Sequence, residues 1–401
     1  MLASYKTSAI AIALAEQDYM RAIRRELHSL PELSLHESRT SQRIAEELDA
    51  IGVPYVRVGE FGIVATIEGT SRDRVVALRA DMDALPIQED NPHLEYCSKT
   101  EGVMHACGHD GHVAMLLGAA RILQQLKGQL NGTVKLCFQQ AEEVGKGTQE
   151  ILAELAKFPV ESVFGIHLWS EIETGKISVE AGPRMAAGKA INIAVHGTGT
   201  HGAYPNRGVD PVLASAAILL NCSALISREI DAVEPAVLTF GQIHAGEAGN
   251  VIPDVVRIAG TLRTTSVATE AFLIEAVERV VKNTAASYRA TAEVSWPGGV
   301  PVVANDPAYS DVAFTAVHNL GLDDQLINFK TMMASENYAE FLAVYPGVFA
   351  LIGVRNEALG ACYPHHHPKF NIDEEPLSTG AALHAQYAID YFNKMQAGAG
   401  Q

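Results

Sequence analysis

From Met104 to His112 the chain reads Met104-His105-Ala106-Cys107-Gly108-His109-Asp110-Gly111-His112, bringing imidazoles, a thiol and a carboxylate into one short run. Thiolate, imidazole and carboxylate together suit a divalent transition metal. Two glycines let the loop bend so that its side chains converge. A helix expected over 112–126 would turn its N-terminal dipole toward Cys107 and favour the thiolate that binds metal. A second constellation, Phe138-Gln139-Gln140-Ala141-Glu142-Glu143, ends an apolar run in adjacent carboxylates. On extended backbone such neighbours point opposite ways, so one could hold a metal while the other faces an attacking water. Metal-assisted hydrolysis requires that division between ligand and general base. His167, Asp81-Met82-Asp83 and Tyr363-Pro364-His365-His366-His367-Pro368 add further ligand types at the ends of other runs.

These side chains need a scaffold, and the first half of the chain supplies its pattern. Strand-like runs at 63–67, 75–79, 133–138 and 162–168 alternate with longer helical stretches such as 112–126, which predicts a mostly parallel sheet covered on both faces. Ligand sites in such sheets lie beyond the carboxyl ends of the strands. From about Arg184 the texture changes. Strands expected at 191–196, 237–244, 255–264 and 291–296, with helices at 210–226 and 269–287, follow the order βαββαβ of a split-βαβ, ferredoxin-like module. The expected organisation is therefore α/β, with a mixed, largely parallel sheet in a catalytic part made of 1–183 and 297–401. An α+β domain, 184–296, is inserted into it.

Composition narrows the function. The chain has 401 residues, 30 Lys+Arg against 47 Asp+Glu and a formal charge of −17, which argues against nucleic-acid binding through a basic face. No stretch approaches the roughly 20 uninterrupted apolar residues of a membrane span. The five cysteines are scattered without a CxxC pair, pointing to a reducing, cytoplasmic setting rather than a disulfide framework. Residues 7–15 imitate a short signal peptide, but they run on into a helical pattern and read as structure.

Arg79-Ala80-Asp81-Met82-Asp83-Ala84-Leu85-Pro86, His105-Ala106-Cys107-Gly108-His109-Asp110-Gly111-His112 and Ala141-Glu142-Glu143 closely resemble the M20 metallopeptidase superfamily, and within it the branch of hippurate hydrolases and N-acyl-amino-acid amidohydrolases. The resemblance extends from the His28-to-Ser34 segment to His366-His367-Pro368-Lys369-Phe370. It implies a zinc-peptidase-like catalytic domain interrupted by a ferredoxin-like lid that often makes the dimer. By position it implies metal ligands Cys107, His109, Glu143, His167 and His366, with Glu142 as general acid/base; His365 and His367 remain alternatives to His366. Asp83 would orient a metal-binding group. In similar enzymes the residues matching His201, Asn250 and Arg263 reach the substrate, sometimes from the partner subunit. His201 could steady an oxyanion, while Asn250 and Arg263 could hold a free carboxylate.

Two segments depart from the family pattern: Gln140 stands where relatives carry proline, and Glu336-Asn337-Tyr338 where they carry Glu-Asp-Phe. The expected activity is hydrolysis of the amide bond of N-acyl amino acids, using two divalent ions per subunit (Zn, Mn, Ni or Co). The expected assembly is a homo-oligomer, a dimer through the inserted domain or a tetramer. A dipeptidase or carboxypeptidase is the alternative within the same chemistry. A non-catalytic metal-containing binding protein is the alternative outside it, and the Glu142-Glu143 pair speaks against that.

Overall fold

The computed structural model describes residues 8–399, which divide into two compact units. Among the described residues the first comprises 8–182, Ala304–Phe329 and 340–399, and the second Pro183–Val303 with Lys330–Ala339.

The first unit is built on a seven-stranded sheet. Its centre is parallel: Thr133–Gln139, Val75–Asp81, Val160–Glu173 and Gly347–Arg355 run side by side in that order. Antiparallel strands close both edges, Gly62–Glu68 and Tyr55–Val58 at one and Ile177–Ser178 at the other. The central strands are buried along nearly their whole length, as expected where helices cover both faces. One of those helices, His109–Leu126, is buried through Val113, Leu116, Leu117 and Leu123, and packs against Gln17–Ser29 and Pro376–Ala399. Helix Ser8–Ala15 places Ala9 and Ala13 in the same core, so the described part of the signal-like segment is folded structure; Thr7 lies outside the described residues.

Two local expectations are corrected here. Helix 109–126 starts three residues earlier than the apolar pattern suggested, because Gly108 takes a left-handed φ of 91° and turns the chain into it. His167 does not end its strand: Val160–Glu173 continues past it, supported by Gly347–Arg355, whose Leu351 lies opposite His167.

The second unit is an antiparallel sheet in the order Ala236–Ala245, Val255–Thr264, Ala187–His196, Thr291–Ser295, with helices Pro211–Arg228 and Val267–Ser287. Its core gathers Ile191, Ile193, Ile218, Leu225, Val256, Leu273 and Val277. By length and composition Pro211–Arg228 could cross a membrane, yet its Ala214, Ile218, Cys222 and Leu225 stripe packs into this core. The unit reaches beyond residue 296. Gly299–Val300 pairs with Gly188 and Lys189, and Ala186 donates its N–H to the carbonyls of Met332 and Ala334, which draws in 330–339 and with it Asn337.

Candidate metal centre

The strand Thr133–Gln139 delivers the chain to Ala141, whose φ of 58° is left-handed, and the next residues form a 3-10 turn, Glu142–Val144. The carboxylate pair therefore does not sit on extended backbone as expected. The turn lets both carboxylates serve one site, with His109, Glu142 and Glu143 placing ligand atoms within 4.8 Å of one another. Two further groups meet the same criterion: Cys107 with His109 and His167, and Cys107 with Glu143 and His366. Shared members join all three into one cluster, drawn from the 104–112 loop, the 141–143 turn, the 160–173 strand and the 363–370 loop.

Hydrogen bonds leave the right atoms free. His109 Nδ1 lies 3.2 Å from Asp83 Oδ1, which fixes its proton there and leaves Nε2 buried without a hydrogen-bond partner. His167 Nδ1 donates to the Leu168 carbonyl at 2.7 Å, leaving Nε2 3.6 Å from Cys107 Sγ. Glu143 Oε1 is likewise buried and unbonded, 3.8 Å from His109 Nε2 and 3.5 Å from His366 Nε2. Buried polar atoms without partners are costly, and a cation among these groups would satisfy both His109 Nε2 and Glu143 Oε1. The donor set of one sulfur, imidazole nitrogens and carboxylate oxygens fits zinc, nickel, cobalt or manganese.

A fourth grouping, Asp81 with His109 and His112, is closed by contrast. His112 Nδ1 lies 2.5 Å from Asp81 Oδ1, and its Nε2 accepts from Leu168 N–H at 2.9 Å, so neither nitrogen is available. The three consecutive histidines also separate. His365 is engaged by Ser170 Oγ and the Leu168 carbonyl, and burial pushes its pKa down to about 3. His367 stacks on Tyr363 and accepts from Lys369 N–H. His366, at a left-handed φ of 63°, donates its N–H to the Ala106 carbonyl and alone of the three joins Cys107 and Glu143.

The electrostatics correct one expectation. Desolvation and the Glu143 and Glu142 carboxylates push the Cys107 thiol well above the usual cysteine range, against the opposite pull of His109. The helix dipole thus does not make a thiolate by itself; a bound cation would, since coordination displaces the proton. Burial opposes charge on His109, but Asp81, the Cys107 sulfur and Asp83 outweigh it and raise its pKa.

Asp83 does more than orient His109. Its Oδ2 accepts from Glu143 N–H at 3.0 Å and from Ser34 Oγ at 2.6 Å, tying the carboxylate turn to the loop before helix Ser38–Ala50. Gln140 is explained as well: its side-chain carbonyl accepts from the N–H groups of Phe61 and Gly62, an anchor proline could not provide. Lys146 N–H closes the turn onto the Ala141 carbonyl, and Gly147 follows at φ 82°, where an added Cβ would lie 2.0 Å from the Gln140 carbonyl oxygen. Gly147→Ala is expected to cost about 2 kcal/mol through backbone strain; an unchanged urea midpoint would refute it.

The remaining candidates lie in the second unit. His201 is exposed, with Nδ1 accepting from Ala203 N–H, and it pairs with Val251 beside exposed Asn250. Arg263 is half-buried on Val255–Thr264, opposite Gly188, and donates to the Leu262 carbonyl. The sheet register puts Val255 eight positions from Arg263, about 25 Å at the usual rise of a strand. His201 and Asn250 are brought together, and Arg263 stands on the other, larger sheet of this unit.

Among the residues that carry this site, sequence reasoning gave no role to Ser34, Glu37, Gln140 or Arg24. All but Gln140 precede the motifs in the chain and act through contacts that no local spacing reveals.

Residues 77–390 match Peptidase family M20/M25/M40. The chain is 40% identical over 383 residues to IAA-amino acid hydrolase ILR1-like 2 of Arabidopsis thaliana, covering 94% of this chain and 86% of that protein. It is 38% identical over 383 residues to thermostable carboxypeptidase 1 of Saccharolobus solfataricus, covering 94% and 96%. N-acetylcysteine deacetylase of Bacillus subtilis is 35% identical over 372 residues, with 92% and 95% covered. A crystal structure of a Bacillus subtilis dinuclear metal-binding peptidase of the M20 family superposes with a TM-score of 0.84 at 33% identity, covering 94% of this chain and 99% of that one. By this family match and these identities, the chain belongs to peptidase family M20/M25/M40 and is a hydrolase of amide bonds.

Proposed function

We propose that the protein hydrolyses the amide bond joining an acyl group to an amino acid, releasing a carboxylic acid and the free amino acid. The observation that carries this reading is the convergence of Cys107, His109, Glu142, Glu143, His167 and His366, with a carboxylate to spare beyond the ligands. Cys107, His109, Glu143, His167 and His366 would hold two divalent cations, as the dinuclear relative's description supports. Bound there, the cations supply Lewis-acid polarisation and a lowered water pKa.

The chain's own groups do the rest. Glu142 takes a proton from the attacking water and returns it to the leaving amine. Asp83 keeps His109 in the tautomer with Nε2 free. His201 would steady the developing oxyanion, and Asn250 and Arg263 would hold the substrate carboxylate. His201 and Asn250 sit at the small two-stranded sheet and Arg263 on the larger one, so the three need not come from one subunit. We therefore propose that a partner subunit supplies His201 and Asn250, in a dimer made through the second unit. The open edge strand Ala236–Ala245 and exposed Leu213 and Leu220 support that assembly.

The carboxypeptidase relative favours a second reading in which the acyl side is itself a peptide. A panel of hippurate, N-acetyl amino acids, N-acyl aromatic amino acids and dipeptides, assayed with added Mn, Co, Ni or Zn and with a chelated control, separates the two. Release of amino acid from the N-acyl compounds, abolished by chelator, is expected. Cleavage of the dipeptides alone would select the second reading, and no release with any metal would remove both.

A further inference from the structure

Ala141 is an unusual place for a left-handed residue. It carries a Cβ, it is fully buried, and it immediately precedes the carboxylate turn. Such a conformation persists where surrounding contacts over-determine it. On the Ala141 backbone the contact is specific: its N–H donates to Glu37 Oε1 at 2.7 Å. Glu37 lies more than a hundred positions earlier in the chain, at the N-cap of helix Ser38–Ala50, and is fully buried. Three positions before it, Ser34 donates to Asp83, which in turn accepts from Glu143 N–H. The 34–37 segment thus grips the turn at Ala141 directly and at Glu143 through Asp83, leaving Glu142 between two fixed points.

We propose that Glu37 is a positioning residue for the reaction, holding Ala141 in its left-handed conformation so that Glu142 faces the attacking water. This rests on the reading of Glu142 as the base. Burial, the largest influence on Glu37, raises its carboxyl to about 7, and its contact with Ala141 N–H is made by one acceptor oxygen, which a neutral amide of the same shape also carries. The acceptor oxygen and its reach are what the turn needs, rather than the charge.

Two conservative variants separate reach from charge. Glu37→Gln keeps an acceptor at the same distance; Glu37→Asp keeps the carboxylate but withdraws it by one methylene. For Glu37→Asp, kcat is expected to fall about 10- to 100-fold, in line with small misplacements of a catalytic group, while KM, metal content and melting temperature hold. Glu37→Gln is expected to stay within a few-fold of the parent. A merely structural role would move melting temperature and kcat together in both variants, and that result overturns the proposal, as does a Glu37→Asp kcat equal to the parent's. Glu142→Gln assayed alongside keeps the two readings distinct. An inactive Glu142→Gln with an unaffected Glu37→Asp removes only the positioning role. An active Glu142→Gln removes the base and, with it, the role assigned to Glu37.

Discussion

Replacing Glu142 with Gln is expected to lower kcat by about 10²- to 10⁴-fold, the range a positioned general base contributes, while the bound-metal content stays that of the parent. The amide preserves size and one acceptor oxygen but cannot take up the proton. Metal retention follows from the membership of the cluster. Glu142 enters only the group with His109 and Glu143, whereas Glu143 also belongs to the group with Cys107 and His366. Glu143→Gln should therefore weaken metal binding as well as turnover, and the contrast between neighbouring carboxylates is the diagnostic. Metal analysis and steady-state kinetics on the two variants decide it. A Glu142→Gln enzyme turning over at the parent rate, or one stripped of metal, would refute the assignment of base and ligand to these positions.

The chemistry of this site was legible where ligand types crowd together in sequence. Residues 104–112 announce a metal loop because imidazole, thiol and carboxylate rarely accumulate without a cation to share. The central strands were legible because β-branched and aromatic runs buried on both faces leave no polar alternation. What stayed hidden depends on backbone torsions and distant partners. That His366 rather than His365 faces Glu143 follows from a left-handed φ and from the Leu168 carbonyl claiming His365, neither of which the run of three histidines encodes locally. Nothing local in the run before Glu142-Glu143 signals that the left-handed Ala141 sets the pair in a 3-10 turn held by Glu37. Residues 330–339 carry no strand pattern, so their attachment to Arg184 and Ala186 could not be anticipated. The departure at Gln140 gives no local sign of its role, which is to anchor the turn by accepting from the N–H groups of Phe61 and Gly62.

Arg24→Met is expected to be the most destabilising of the substitutions considered, by about 3–5 kcal/mol, the usual cost of leaving one buried charge without its partner. Arg24 is fully buried, with Nε 2.8 Å from Asp110 Oδ2, Nη1 3.2 Å from Glu374 and Nη2 3.2 Å from Asn371. It joins the start of helix His109–Leu126, which carries His109, to the segment just after the loop that carries His366. Methionine keeps much of the volume and removes every donor. Glu374 would retain Arg25, at 2.5 Å, so the loss falls mainly on Asp110. Burial by itself would raise the Asp110 carboxyl, yet Arg24 and His28 hold it well below the ordinary carboxylate range, which marks it as a charge that depends on these partners. His28, 2.8 Å from Asp110 and 3.2 Å from Glu89, offsets part of the deficit and favours the lower end of the range. Adding Asp110→Asn to Arg24→Met should recover about 1–2 kcal/mol, because the neutral amide no longer needs a cation. Urea denaturation of the parent, the single variant and the double variant measures both quantities. A single-variant loss under about 1 kcal/mol, or a double variant no more stable than the single, would show that the buried guanidinium is not what secures the start of the metal-bearing helix.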